Sequence, residues 1–190
     1  MIIHSIDSEP SKALRGIHVP NRYVEAAQQS FEGTLRKGFI IATATDCEGL
    51  LLTGGTGSRK TTFGTKVMLA KLKDHVKGGE IDAMWETAPN IITEIKETFG
   101  SRGKITESAV VKKYSTKGML LIDDLGAEKE SDWSISMFYS IISNRVNWER
   151  FTIVTTNLTM KQLKTWNHRI ASRLAGFHVM DMGGKDYRVG

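Results

Sequence analysis

The sequence predicts an α/β fold, a mostly parallel sheet wrapped by helices. Three observations predict it. Short apolar runs alternate with helical patterns along the chain; a glycine-rich turn, Gly54-Gly55-Thr56-Gly57, joins one such run to a helix; and another run, Met119-Leu120-Leu121-Ile122, ends in Asp123-Asp124. The composition permits such a core: 190 residues with 40% hydrophobic and 25% charged side chains suit one globular unit and exclude a disordered or collagen-like chain. Cys47 is the only cysteine, which excludes an intramolecular disulfide and a cysteine-based zinc cluster and fits a reducing compartment. The thiol itself is read as idle. The first ten residues lack the basic start and apolar run of a signal peptide. No apolar stretch approaches the roughly 18 residues of a membrane span, so a cytoplasmic protein without membrane contact is expected. A net charge of +5 tolerates a nucleic-acid partner without demanding one.

After a loose opening stretch, apolar residues at Val24, Ala27, Phe31 and Leu35 predict one amphipathic helix over Asn21–Phe39. Leu50–Thr53 is a short buried strand ahead of the glycines. A helix over Lys60–Val76 follows, with Phe63, Val67, Leu69, Ala70 and Leu72 on its apolar side and Gly78-Gly79 as its stop. Ile81–Trp85 reads as a second strand. Pro89 opens a helix whose inner face carries Ile91, Ile92, Ile95 and Phe99. Ser101–Lys117 reads as a basic exposed loop with a short helix, and Met119–Ile122 as a wholly apolar strand. Ser131–Trp148 is a helix with Ile135, Phe138, Ile141 and Ile142 inward. Phe151–Thr155 is a strand, Met160–Leu174 two short helices interrupted near Asn167, and Phe177–Met182 a last strand.

The strongest chemical signal is Gly54-Gly55-Thr56-Gly57-Ser58-Arg59-Lys60-Thr61, with Thr62 next, set between a strand and a helix as a phosphate-binding loop requires. Glycines let consecutive N–H groups turn toward phosphate oxygens, and the helix start adds the positive end of its dipole. Lys60 would reach the β- and γ-phosphates of a bound ATP or ADP, and the Thr61 hydroxyl would hold Mg²⁺. Arg59 departs from the pattern, which has glycine there: its side chain would crowd the phosphates or strain the loop, or lend its charge to them. Asp123 and Asp124, taken singly, are a solvated turn; about 60 residues after a phosphate loop they read as a metal-holding acid, Asp123, and a water-activating acid, Asp124. Asn157, a turn residue in isolation, stands at the end of a neighbouring strand and would reach the γ-phosphate or the attacking water. Arg169 and Arg173 lie four apart on a helix and project from one side, either as ordinary surface residues or as arginines offered to a nucleotide on an adjacent subunit.

In this order the motifs resemble the AAA+ ATPases of the DnaC/IstB type, bacterial helicase loaders and transposition helper ATPases. The resemblance runs from about Gly16 to Val189. It includes Gly16-Ile17-His18-Val19-Pro20 with Tyr23, the phosphate loop, Asp123-Asp124-Leu125-Gly126, Thr155-Thr156-Asn157-Leu158-Thr159, Arg169-Ile170-Ala171-Ser172-Arg173-Leu174 and Asp186-Tyr187-Arg188. It implies a three-layer α/β/α P-loop NTPase fold, with residues 1–45 as an N-terminal segment carrying the amphipathic helix and 46–190 as the ATPase domain. It makes Lys60 and Thr61 the Walker A residues, Asp123 and Asp124 the Walker B pair, and Asn157 sensor 1. Arg173 becomes the arginine finger with Arg169 as its alternate, and Arg188 a late basic sensor. It further implies a homo-oligomer on single-stranded DNA, the helix near Ala88–Phe99 facing the strand, the basic residues Arg102, Lys104, Lys112 and Lys113 meeting phosphates, and a replicative DNA helicase as partner. Family loaders carry a separate helicase-gripping module; here that surface is expected to be absent, reduced to the first segment or supplied by another protein. Two other functions compete: an IstB-like helper assembling on duplex DNA with a transposase, and a nucleotide-gated DNA-binding or adaptor module with little hydrolysis, motivated by Arg59.

Overall fold

In the computed structural model, which describes residues 6–44, 49–99, 105–127 and 131–183, five parallel strands form the central sheet. They are β1 (Gly49–Thr53), β4 (Ala83–Thr87), β5 (Met119–Asp123), β6 (Thr152–Thr155) and β7 (His178–Asp181), in the order β4-β5-β6-β1-β7. Every residue of β1, β5 and β6 is buried, the mark of a parallel sheet covered on both faces. Because side chains alternate along a strand, Leu50, Leu52, Leu121 and Ile153 join one core while Leu51, Leu120, Ile122 and Val154 join the other. The sheet is therefore the middle of three layers.

The first layer holds α1 (Pro10–Gly16), α2 (Asn21–Ala26), α3 (Gly33–Ala44) and α4 (Lys60–Lys71). Helix α4 lies close on the sheet because Gly64 offers no side chain: a Cβ there would meet Ile153 and Leu121 at 3.1 Å and Leu52 at 3.3 Å. The second layer holds α5 (Ala88–Glu97), α6 (Glu107–Thr116), α7 (Asp132–Asn147), α8 (Met160–Trp166) and α9 (His168–Leu174). Local chemistry fixes several starts. Thr87 caps α5 ahead of Pro89, Ser131 and Ser134 form a capping box on α7, Thr159 and Gln162 one on α8, and Asn167 caps α9.

Several elements differ from the sequence expectation. From residue 6 onward the opening stretch is not loose: Ala13 and Leu14 of α1 are buried, and the Trp85 amide at the sheet edge donates to the Ile17 carbonyl at 2.9 Å. The single helix expected over Asn21–Phe39 is two, α2 and α3. The Lys66 ammonium donates to the Ala27 and Gln29 carbonyls at 3.0 and 2.5 Å, taking acceptors that a continuing helix would use, and Gly33 carries φ 54°. Val24, Ala27, Phe31 and Leu35 all still reach the first core. Gly78-Gly79 does not stop a helix. After a 3₁₀ turn at Leu72–His75, both glycines have positive φ and join β2 (Val76–Lys77) to β3 (Glu80–Ile81) as a two-residue hairpin turn. Phe99 lies beyond α5, exposed and 5.3 Å from the Trp133 ring, rather than on the helix's inner face. The boundary expected at 45/46 and Cys47 fall outside the described residues.

Candidate functional site

The carboxyl ends of β1, β5 and β6 open on one side of the sheet, and the loops leaving them line a cavity of about 370 Å³. Open parallel sheets bind ligands at this edge. The glycine loop leaves β1 and delivers Lys60 as the first residue of α4. Lys60 is buried, and its ammonium donates to the carbonyls of Gly54 and Gly55 at 2.7 Å each, to Ser58 Oγ at 3.3 Å and to Asn157 Oδ1 at 2.9 Å. Thr56, Gly57, Ser58, Arg59, Thr61 and Thr62 complete this wall.

Arg59 adopts φ 66° and ψ 17°, the left-handed region where a glycine is at ease. The arginine therefore follows the backbone path a glycine would take, at a strain of about 1 kcal/mol, and the residue lines the cavity.

Thr61 Oγ1 donates to Asp123 Oδ1 at 2.8 Å, and Thr155 Oγ1 donates to the same oxygen at 2.7 Å. Burial raises the Asp123 pKa to about 6, with the neighbouring Asp124 charge adding to the rise, while both hydroxyls and Lys60 oppose it. The Asp124 amide donates to Thr155 Oγ1 at 2.9 Å, so one threonine ties the ends of β5 and β6 together; Asp124 itself takes φ 56° and faces the cavity. Asn157, two residues past β6, is exposed and reaches Lys60 across the opening. No group of three or more His, Cys, Asp or Glu suited to a metal occurs among the described residues. The adjacent oxygens of Thr61 and Asp123 are nevertheless the hard donors Mg²⁺ prefers when phosphate and water fill its other positions.

The structure thus brings Gly54 to Thr62, Asp123, Asp124 and Asn157 into one place. Arg169 and Arg173 do not join them: α9 holds them against α7, outside the cavity lining. Arg188, with Asp186 and Tyr187, lies outside the described residues, as do Arg102 and Lys104. Lys113 is engaged by Glu94 at 2.7 and 2.9 Å. Three contributors escaped the sequence reading as site residues. Arg22 and Tyr23 of α2 also line the cavity, the guanidinium 4.4 Å from the ring centroid; their signals were a basic residue beside an aromatic and, for Tyr23, its place in the family resemblance. Thr155, the last residue of β6, had none beyond its place before Asn157. Among the described residues, no helix is long and apolar enough to cross a membrane.

No family model matches the chain. The replicative helicase loader DnaC of Buchnera aphidicola subsp. Baizongia pistaciae is 28% identical over 78 residues, 41% of this chain and 32% of that protein. The chain thus matches about a third of the length of its curated relative. Among solved structures, the DnaC helicase loader superposes with a TM-score of 0.67 at 21% identity, covering 87% of this chain and 100% of that one. DnaI gives 0.65 at 21% identity over 87% and 95%. DnaA from Aquifex aeolicus with AMPPCP bound gives 0.68 at 15% identity over 82% and 49%. The chain has the fold of the AAA+ P-loop ATPases, shared alike by DnaC, DnaI and DnaA, and its likeness in sequence is to helicase loaders of the DnaC type.

Proposed function

We propose that the cavity binds ATP with Mg²⁺, and that the chain is a hydrolysing ATPase of the helicase-loader type that assembles as a homo-oligomer on single-stranded DNA. One observation carries the reading: Lys60, Thr61, Asp123 and Asn157, from three separate stretches of sequence, meet within hydrogen-bond distance at the carboxyl edge of the sheet. The Lys60 ammonium rests on two loop carbonyls and an exposed amide, acceptors that phosphate oxygens can replace. The start of α4 carries no acidic side chain in its first turn, which leaves its N–H groups to an anion. Thr61 and Asp123 would hold Mg²⁺, whose chemistry is to offset charge on the β- and γ-phosphates. Asp124 accepts a proton from the attacking water or orients it, and Asn157, once Lys60 turns to phosphate, is released to hold that water. Arg173, or Arg169, serves the nucleotide of a neighbouring copy, which suits their position outside their own chain's cavity. The replicative helicase as partner follows from the loaders the chain resembles.

Calorimetric titration of the purified protein with ATP and ADP in Mg²⁺ tests the reading. Uptake abolished in Lys60→Ala supports it, and no uptake by folded protein sinks it. Uptake without turnover would favour the nucleotide-gated module, the reading Arg59 motivates. Tighter binding of single-stranded than duplex DNA across a salt series supports the loader over the transposition helper.

A further inference from the structure

Arg169 and Arg173 are held in an unusual way. Neither forms an ion pair among the described residues, and the groups they touch are neutral. The Arg169 guanidinium lies 3.9 Å from the centroid of the Tyr139 ring, and Arg173 Nη1 is 3.4 Å from Asn147 Oδ1. The two guanidiniums beside the phenol, that of Arg173 foremost, draw the Tyr139 pKa down to about 8. Tyr139, Ser143 and Asn147 are spaced by four on α7, so they form one stripe, and Arg169 and Arg173 form the facing stripe of α9.

A long arginine loses considerable rotamer freedom when it must meet a ligand in one geometry. A carboxylate would fix the guanidinium but cancel the charge a phosphate needs. A ring face and an amide fix it and leave that charge in place.

We infer that Tyr139, with Asn147, is a positioning residue that aims Arg169 and Arg173 at the polyphosphate bound by an adjacent copy of this chain. The inference rests on the nucleotide reading above. The neutral stripe holds both guanidiniums before the copies meet, so assembly loses little further freedom at the arginines. Tyr139 touches no substrate and acts through the two arginines.

The experiment is subunit mixing. Tyr139→Leu should bind ATP with wild-type affinity at dilutions where the protein is monomeric, yet turn over ATP about tenfold more slowly once assembled, with kcat reduced and KM held. Tyr139→Phe, which keeps the ring, should fall between. Excess Asp124→Asn subunits, which bind ATP without hydrolysing it, present intact arginines to the Tyr139→Leu pockets and should restore most of their turnover. A merely structural defect would not be restored by a neighbour. Where Tyr139→Leu fails to fold, Asn147→Ala tests the same stripe, with about a threefold loss recovered in the same mixture. Full turnover by assembled Tyr139→Leu, or no recovery on mixing, overturns the inference. Full turnover by the double variant Arg169→Ala, Arg173→Ala also overturns it while leaving ATP binding intact. Absence of ATP uptake by the wild type removes the nucleotide reading, and the inference with it.

Discussion

The two ends of the sheet each bury a cation, and they treat it differently. At the amino end, Arg145 of α7 is fully buried. Its guanidinium donates to Thr152 Oγ1 and the Phe151 carbonyl at 2.8 Å, and to the Tyr114 and Lys117 carbonyls at 2.9 and 2.7 Å. Burial pulls its pKa down to about 9, and no carboxylate pairs with it among the described residues. Three of those acceptors are carbonyls of backbone entering β5 and β6 and in the last turn of α6, and the fourth is the hydroxyl of the first residue of β6. At the carboxyl end, Lys60 is nearly as buried, but its acceptors are two glycine-loop carbonyls and an exposed asparagine. The left-handed residues Arg59 and Asp124 and the positive-φ glycines Gly54 and Gly57 gather there too. A rigid fork on fixed acceptors makes a structural knot, whereas a flexible ammonium on replaceable acceptors makes a site.

The largest expected effect comes from breaking the knot. Arg145→Ala takes a donor from four oxygens in a dry interior, although the Phe151 carbonyl keeps the Leu120 amide and Thr152 Oγ1 keeps its bond to the Arg150 carbonyl, and it opens a cavity, so it should cost about 4 kcal/mol of unfolding free energy. The fraction that remains folded should bind ATP with unchanged affinity. A urea unfolding series beside a nucleotide titration checks both statements, and a large loss of affinity by folded protein would show that the two ends are coupled.

The next effect is at the carboxyl end and depends on pH. Asp123 titrates near its ordinary value of about 4 in the unfolded chain and at about 6 in the ligand-free native state, so the native state holds the extra proton between them. Stability contributed by this group is therefore complete below pH 4 and declines as pH rises to 6, by about 3 kcal/mol. Asp123→Asn should remove that decline, read as the difference between wild-type and variant urea midpoints from pH 4 to 7. Parallel profiles would refute it.

How much of this was legible in the sequence follows from what each feature rests on. Strands β1, β5 and β6 declare themselves because burial on both faces requires unbroken apolar runs, and the phosphate loop because its spacing follows from backbone geometry. The break between α2 and α3 was hidden, since it depends on Lys66, about forty positions away in sequence, reaching the Ala27 and Gln29 carbonyls. Gly78-Gly79 was ambiguous in principle, because glycines end helices and turn hairpins alike. Arg145 stands one turn after Ile141 and Ile142 on the inward stripe of α7, and a basic residue on an apolar face was a signal open to reading. Tyr139 was not, because its role needs two helices to be packed together first.

Lys60→Ala comes third. Wild-type protein at a hundred times its ATP dissociation constant should gain about 2.7 kcal/mol of stability, and the variant almost none at the same concentration. Thermal melts with and without ATP and Mg²⁺ measure this. An equal ATP-induced shift in both proteins would mean that the ammonium's present acceptors are not exchanged for phosphate, and the contrast with Arg145 would vanish.

The smallest effect on stability is the most specific. At Arg59, replacement by glycine relieves about 1 kcal/mol of left-handed strain but restores freedom to the unfolded chain worth about 0.4–1 kcal/mol, and these oppose each other. Arg59→Gly should therefore shift the unfolding midpoint by less than about 1 kcal/mol. Because the loop already follows the path of a glycine, the substitution mainly removes the guanidinium of a residue that lines the cavity, and ATP affinity should fall about fivefold. Stability held while affinity falls marks Arg59 as part of the site. Affinity held while turnover rises would instead mark the arginine as a brake built into the replaceable end of the sheet, a restraint for which the knot at Arg145 has no counterpart.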